Sequence, residues 1–185
     1  MSGFIDDAIA RAGLGAVLPA RRGGDLEAAR AALRAAGPVD LLVLGALADA
    51  VRTDECGPVV RIWSEPDRTV TWAAAYESEL DLLRAVAIAR VTGPTRARIG
   101  VDWGAIGLEL AQVALGFGAT DLAGPITRKC GALIRPEDLR KVKGQGMVAS
   151  AALKWREIVR LVESAGRVAE LPGELENVAR EHAHA

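Results

Sequence analysis

From Val59 onward, short β-prone runs alternate with stretches of helical periodicity, and this alternation leaves few architectures open. Val59-Val60-Arg61-Ile62-Trp63 and Arg68-Thr69-Val70-Thr71-Trp72 read as strands, with turn chemistry in Ser64-Glu65-Pro66-Asp67 between them. Ser78, followed by Asp81, has the spacing of a capping box and opens a helix that Gly93-Pro94 ends. Residues 98–103 (RIGVDW) form a third β-like run, and Gly107 to Leu115 the next helix. Gly116 through Leu122 turns into a short fourth strand. A last helix is predicted over Ser150–Ser164, with Gly166 as its left-handed stop. The pattern predicts βα units and a parallel sheet, hence an α/β fold.

The segment before Val59 is helical in character. Asp25 to Ala36 has a capping aspartate, good helix formers and a Gly37-Pro38 stop. Asp40 to Arg52 places Leu41, Leu44, Ala48 and Val51 on one face. Residues 1–20 give a short amphipathic stretch and then a loop at Leu18-Pro19. At 185 residues the chain suits a single domain, with residues 1–55 as a helical N-terminal segment and 56–185 as the βα part.

Charge narrows the function classes. A net charge of −1 provides no basic field for nucleic acid or an anionic membrane, and neither is expected as a partner. No apolar run approaches the ~20 residues of a spanning helix. The N-terminus lacks the basic-then-apolar layout of a signal peptide. The two cysteines, Cys56 and Cys130, stand alone and cannot form a disulfide framework, so a cytoplasmic location is expected.

Residues 82–124 carry an ordered series of tokens: Arg84-Ala85-Val86-Ala87-Ile88-Ala89-Arg90, then Asp102-Trp103, then Gly107 through Asp121 with Gly116-Phe117-Gly118-Ala119-Thr120-Asp121 at its end. This series resembles the late barrel region of a radical S-adenosylmethionine group. The group comprises aminofutalosine synthase and dehypoxanthine futalosine cyclase of menaquinone biosynthesis, and it is similar to deazaflavin synthase subunits. Leu41–Arg52, Val59–Trp72 and Arg156–Arg167 resemble that group's leading helix, the strand entering its cluster loop and its closing helix. The resemblance spans about two thirds of the chain and implies a partial (β/α) TIM-like barrel of about four parallel strands preceded by two helices.

The resemblance also shows what is missing. The group's CxxxCxxC belongs just after Trp72, where this chain reads Ala73-Ala74-Ala75-Tyr76. A 4Fe-4S cluster needs closely spaced thiolates, so no cluster, metal or other cofactor is expected. A cylinder short of several strands exposes strand edges, which implies a homodimer, or a heteromer with a full-length radical SAM homologue. The expected function is that of a degenerate enzyme: an accessory subunit or small-molecule-binding protein linked to the futalosine pathway. The alternative is a cofactor-independent lyase or hydrolase using strand-end carboxylates.

Candidate site residues follow from position. Asp102 and Asp121 close predicted parallel strands, where ligand groups collect, and two carboxylates could serve as acid and base. Each could equally cap a helix or bind loop amides. Trp103, Asp121 and Gly124 match the group residue for residue. Thr120 stands where the group has asparagine, and Trp72 closes a strand where a flat ring could stack. Trp72, Trp103, Thr120 and Gly124 are therefore the candidate ligand contacts, against the plainer reading of the tryptophans as core. Three weaker features remain. Lys141-Val142-Lys143-Gly144-Gln145-Gly146 lacks a phosphate-loop spacing, His182 and His184 lack further ligands, and Cys130 has no histidine near it.

Overall fold

The computed structural model describes residues 2–73, 76–128, 131–133, 139–142, 146–149 and 153–171. Four helices precede the first strand, against two expected: α1 (Ser2–Arg11), α2 (Val17–Arg22), α3 (Leu26–Ala36) and α4 (Leu41–Cys56). The expected loop at Leu18-Pro19 is a correction, because both residues lie in α2. Pro19 falls in the first turn, where its missing N–H is no loss. Asp25 caps α3 by accepting from the Ala28 N–H, and Asp40 caps α4 by accepting from Leu42 and Val43. Helix α4 runs four residues past the expected Arg52, to Cys56, and Gly57 with its φ of 70° ends it.

The βα part follows as β1 (Val59–Trp63), β2 (Thr71–Trp72), α5 (Glu79–Thr92), β3 (Ile99–Asp102), α6 (Trp103–Ile106), α7 (Leu108–Leu115) and β4 (Asp121–Ala123). Ser78 caps α5 through the Asp81 N–H, as the spacing predicts. Next come β5 (Ile126–Arg128), β6 (Gly131–Leu133), β7 (Leu139–Val142), β8 (Gly146–Ala149) and β9 (Leu153–Lys154), then α8 (Trp155–Ser164) and β10 (Val168–Glu170). Strands β5, β6 and β9 form one small sheet, and β7 and β8 form a hairpin.

The main sheet has five parallel strands in the order β10-β1-β4-β3-β2. One more strand is present than expected, because β10 pairs with β1 after α8 and Gly166 (φ 71°) return the chain. Residues 98–103 and 120–122 do lie side by side, with Gly100 opposite Asp121 and Val101 opposite Leu122.

Alternation gives the sheet two faces of different chemistry. Val60, Ile62, Ile99, Val101 and Leu122 point to one face and are all buried, sharing a core with Leu47, Val51, Leu82, Val86, Leu115, Ile158 and Val162 of the helices. At about 1.5–3 kcal/mol for each large aliphatic side chain, this face supplies the main driving force for the fold. On the opposite face the register aligns Trp72, Gly100, Asp121, Arg61 and Glu170 in one row, with Asp102, Ala123 and Trp63 in the row above.

Residues 64–70 connect β1 to β2 across this second face. Trp72 lies against Gly100 and donates its indole N–H to the Asp67 carbonyl at 2.7 Å, while Arg98 bonds Thr69 Oγ1 at 3.0 Å. The strap moves across the sheet in the direction opposite to the helical crossovers and on the opposite face, so it has the same hand as they do. Its Asp67 accepts from the Thr69 N–H at 2.8 Å and from the Thr69 hydroxyl, a tight turn that shortens the strand expected over 68–72 to its last two residues.

Candidate functional site

Asp121 sits at the centre of the second face with no exposed surface. Its Oδ1 accepts from the Trp63 indole N–H at 2.8 Å and from Arg98 Nη2 at 2.5 Å. Its Oδ2 accepts from the Thr120 hydroxyl at 2.8 Å. Arg98 also lies over the Trp63 ring, 5.0 Å from its centroid, so one guanidinium covers both the carboxylate and the indole. A buried carboxylate with three donors braces its neighbours.

Asp102 stands two residues further along the neighbouring strand, on the same face. Strand geometry puts the two Cα atoms about 8 Å apart. Asp102 is the N-cap of α6 and accepts from the Gly104 N–H at 2.8 Å. Asp102 closes β3 as expected, whereas Asp121 opens β4 and does not close it, a correction that follows from the strand pairing with β3 beginning only at Asp121. The two carboxylates share a face, each with a structural engagement. Thr120 is buried beside them; its hydroxyl accepts from the Ile99 N–H at 3.0 Å and so ties β4 to β3.

Trp103 and Gly124 come together as a pair. Trp103 is 1% exposed, and a Cβ on Gly124 would overlap its indole ring. Its Nε1 is buried without a hydrogen-bond partner among the described residues. Trp72 pairs with Gly100 in the same manner and is half-buried. Trp103 is thus packing at the rim, whereas Trp63 and Trp72 present partly exposed indoles to the second face. The open end of that face carries the Arg61–Glu170 ion pair at 2.9 Å.

Sequence reasoning missed Trp63, Arg98, Arg61 and Glu170 as members of this face. The signal lay in the period of two: Arg98, Gly100 and Asp102 alternate with Ile99 and Val101, as Arg61 and Trp63 alternate with Val60 and Ile62. Cys130, residues 143–145 and the His182/His184 tail lie outside the described residues; Lys141-Val142 ends β7 and Gly146 begins β8.

A second polar cluster occupies the other end of the sheet, where α4 and α5 terminate. Arg21 bonds both Glu55 oxygens at 2.8 Å and reaches the Gly93 carbonyl at 2.6 Å. Arg52 is held by Asp49 at 2.9 Å, by Thr53 and by the Gly57 carbonyl. Arg90 is wholly buried; its Nε donates to the Gly118 carbonyl at 2.9 Å and its Nη1 to Cys56 Sγ at 3.5 Å. Burial pushes the Arg90 pKa down, and Cys56 and Glu55 oppose that shift.

Among the described residues no group of three or more His, Cys, Asp or Glu could hold a metal ion. No helix among them is long and apolar enough to cross a membrane. No family model matches this chain, and no curated protein matches it.

Proposed function

We propose that the chain is a shortened, cluster-less relative of the menaquinone-pathway radical SAM enzymes that works as a non-radical accessory subunit. Its partner is a full-length homologue or a second copy of itself. The observation that carries this reading is the strand order. Within residues 59–123 the first strand, β1, pairs with the last, β4, and not with its successor β2. First and last strands meet in this way in a (β/α) barrel, but here the sheet is open: β10 covers the other side of β1 and β2 is the far edge. The strap over residues 64–70 joins β1 to that far edge.

Two further features support the reading. The position after Trp72 reads Ala73-Ala74-Ala75-Tyr76, which supplies none of the three thiolates that a cluster requires. Strands β2 and β10 are the edges of the main sheet, and each is paired on one side within that sheet. The engagement of Asp121 by three donors and of Asp102 as a helix cap weighs against the cofactor-independent lyase or hydrolase.

The test is affinity purification from the native host under anaerobic conditions, with iron quantitation on the isolated chain and light scattering at micromolar concentration. The expected result is co-purification with a cluster-bearing radical enzyme or a dimeric mass, and no iron on this chain. A strictly monomeric protein with no radical-enzyme companion overturns the accessory reading, and a stoichiometric 4Fe-4S cluster overturns the cluster-less one.

A further inference from the structure

The environment of Cys56 holds an unspent donor. Arg90 packs directly on Gly118, where an added Cβ would meet the Arg90 stem at 2.8 Å, and its Nε bonds the carbonyl of the same residue. Among the described residues its Nη1 reaches only the Cys56 sulfur, 3.5 Å away. Its Nη2 is buried with no partner among the described residues. The carboxylates Glu55 and Asp49 spend their hydrogen bonds on other groups. Glu55 is committed to Arg21 and to the Arg96 N–H, and Asp49 to Arg52 and Arg167. A buried guanidinium is costly unless its donors are met, so the idle Nη2 marks a place for one more acceptor atom beside the sulfur. Cys56 itself is only half-buried, at the last position of α4. The helix terminus brings a partial negative charge to the sulfur, but the full positive charge of Arg90 faces it directly.

We propose that Cys56 is a reversible oxidation site, at which a hydroperoxide converts the thiol to a sulfenic acid whose oxygen is bonded by Arg90 Nη2. The sulfur lone pair attacks the distal peroxide oxygen, an S–O bond forms and the O–O bond breaks. The other oxygen leaves with the thiol proton as water or an alcohol; sulfur loses two electrons and the peroxide gains them. A low-molecular-weight thiol reverses the step through a mixed disulfide. This inference is independent of the accessory role proposed above.

The experiment uses the full chain carrying Cys130→Ser, treated with hydrogen peroxide and dimedone, with the adduct at Cys56 followed by mass spectrometry. Arg90 guides oxidation only in the folded chain, so native protein is expected to label about tenfold faster than urea-unfolded protein at the same pH. Dithiothreitol added before dimedone is expected to restore the starting mass. Arg90→Met is expected to bring the native rate down to the unfolded one. A native rate at or below the unfolded rate overturns the proposal, as does a folded Arg90→Met chain that labels as fast as the parent. The native-to-unfolded comparison decides the matter even where Arg90→Met does not fold.

Discussion

Replacing Asp121 separates a brace from a catalytic group. In Asp121→Asn the side-chain oxygen can stay on Trp63 and Arg98, while the new amide donates to Thr120, whose hydroxyl proton can turn to the Ile99 carbonyl 3.3 Å away. Every hydrogen bond survives and only the charge facing Arg98 is lost. A charge-assisted bond is worth about 1 kcal/mol more than a neutral one, so a loss of about 1 kcal/mol is expected. Asp121→Ala strands the Trp63 N–H, the Thr120 hydroxyl and the Arg98 guanidinium. Breaking a buried pair costs about 3–5 kcal/mol, and Arg98 is 27% exposed, so solvent recovers part of that; about 3 kcal/mol is expected. Urea unfolding should then show the midpoint falling by about 1.5 M for the alanine variant at a slope near 2 kcal/mol/M. Near-ultraviolet circular dichroism should show the Trp63 band weakened in Asp121→Ala and retained in Asp121→Asn. Equal losses for the two variants, or an alanine loss below about 1 kcal/mol, would refute the bracing argument.

Other perturbations test other joints. Gly45→Ala drives a methyl to 2.6 Å from the buried Phe117 ring, and overpacking of this kind should cost about 1–3 kcal/mol in thermal or urea unfolding. Glu55→Ala leaves the buried Arg21 without its bidentate partner; a loss of about 3 kcal/mol is expected, with Asp54→Ala, whose partner Arg22 is exposed, close to neutral. The two Thr69 hydrogen bonds lower the Asp67 pKa, so the strap's contribution is present above the ordinary aspartate value and is lost as pH falls through the depressed folded-state one. Carboxyl NMR titration should place the Asp67 midpoint below 3.8, and Thr69→Val should return it towards that value.

Much of the fold was legible because local chemistry specifies it. Asp25 and Ser78 announce two helices and cap them as expected, Asp40 stands at the start of a third and proves to be its cap, and Val59–Trp63 is a strand over the residues that read as one. The misses share a cause: they depend on groups far away in sequence. Strand β10 is three residues long and gains its identity from β1, with Val168 opposite Val59. Trp103 reads as the end of a strand, yet it starts α6 because Asp102 caps the Gly104 N–H and Gly124 offers a flat seat for the indole. Of the candidate site, Asp102 at the end of its strand was readable, while Asp121 opens β4 where it was expected to close a strand. The partners of Asp121 were not readable, since the bond from Trp63 spans 58 positions and that from Arg98 spans 23.

The two faces of the sheet answer to different physical constraints. The aliphatic face needs only shape and volume, and many sequences of the right pattern would satisfy it. The second face is not an economical way to gain stability: its outer ion pair, Arg61–Glu170, joins side chains 36% and 48% exposed, and such pairs contribute about 0–1 kcal/mol. The Asp121 cluster must offset the desolvation of a wholly buried carboxylate before it stabilises anything. A Leu at position 121 with apolar neighbours would make a cheaper sheet. What the polar arrangement does supply is fixed orientation: Arg98 holds Asp121, Trp63 and the Thr69 hydroxyl at once, so the strap, the indole and the carboxylate keep one geometry. Fixed orientation is what a recognition surface requires, and the accessory role proposed above would draw on it.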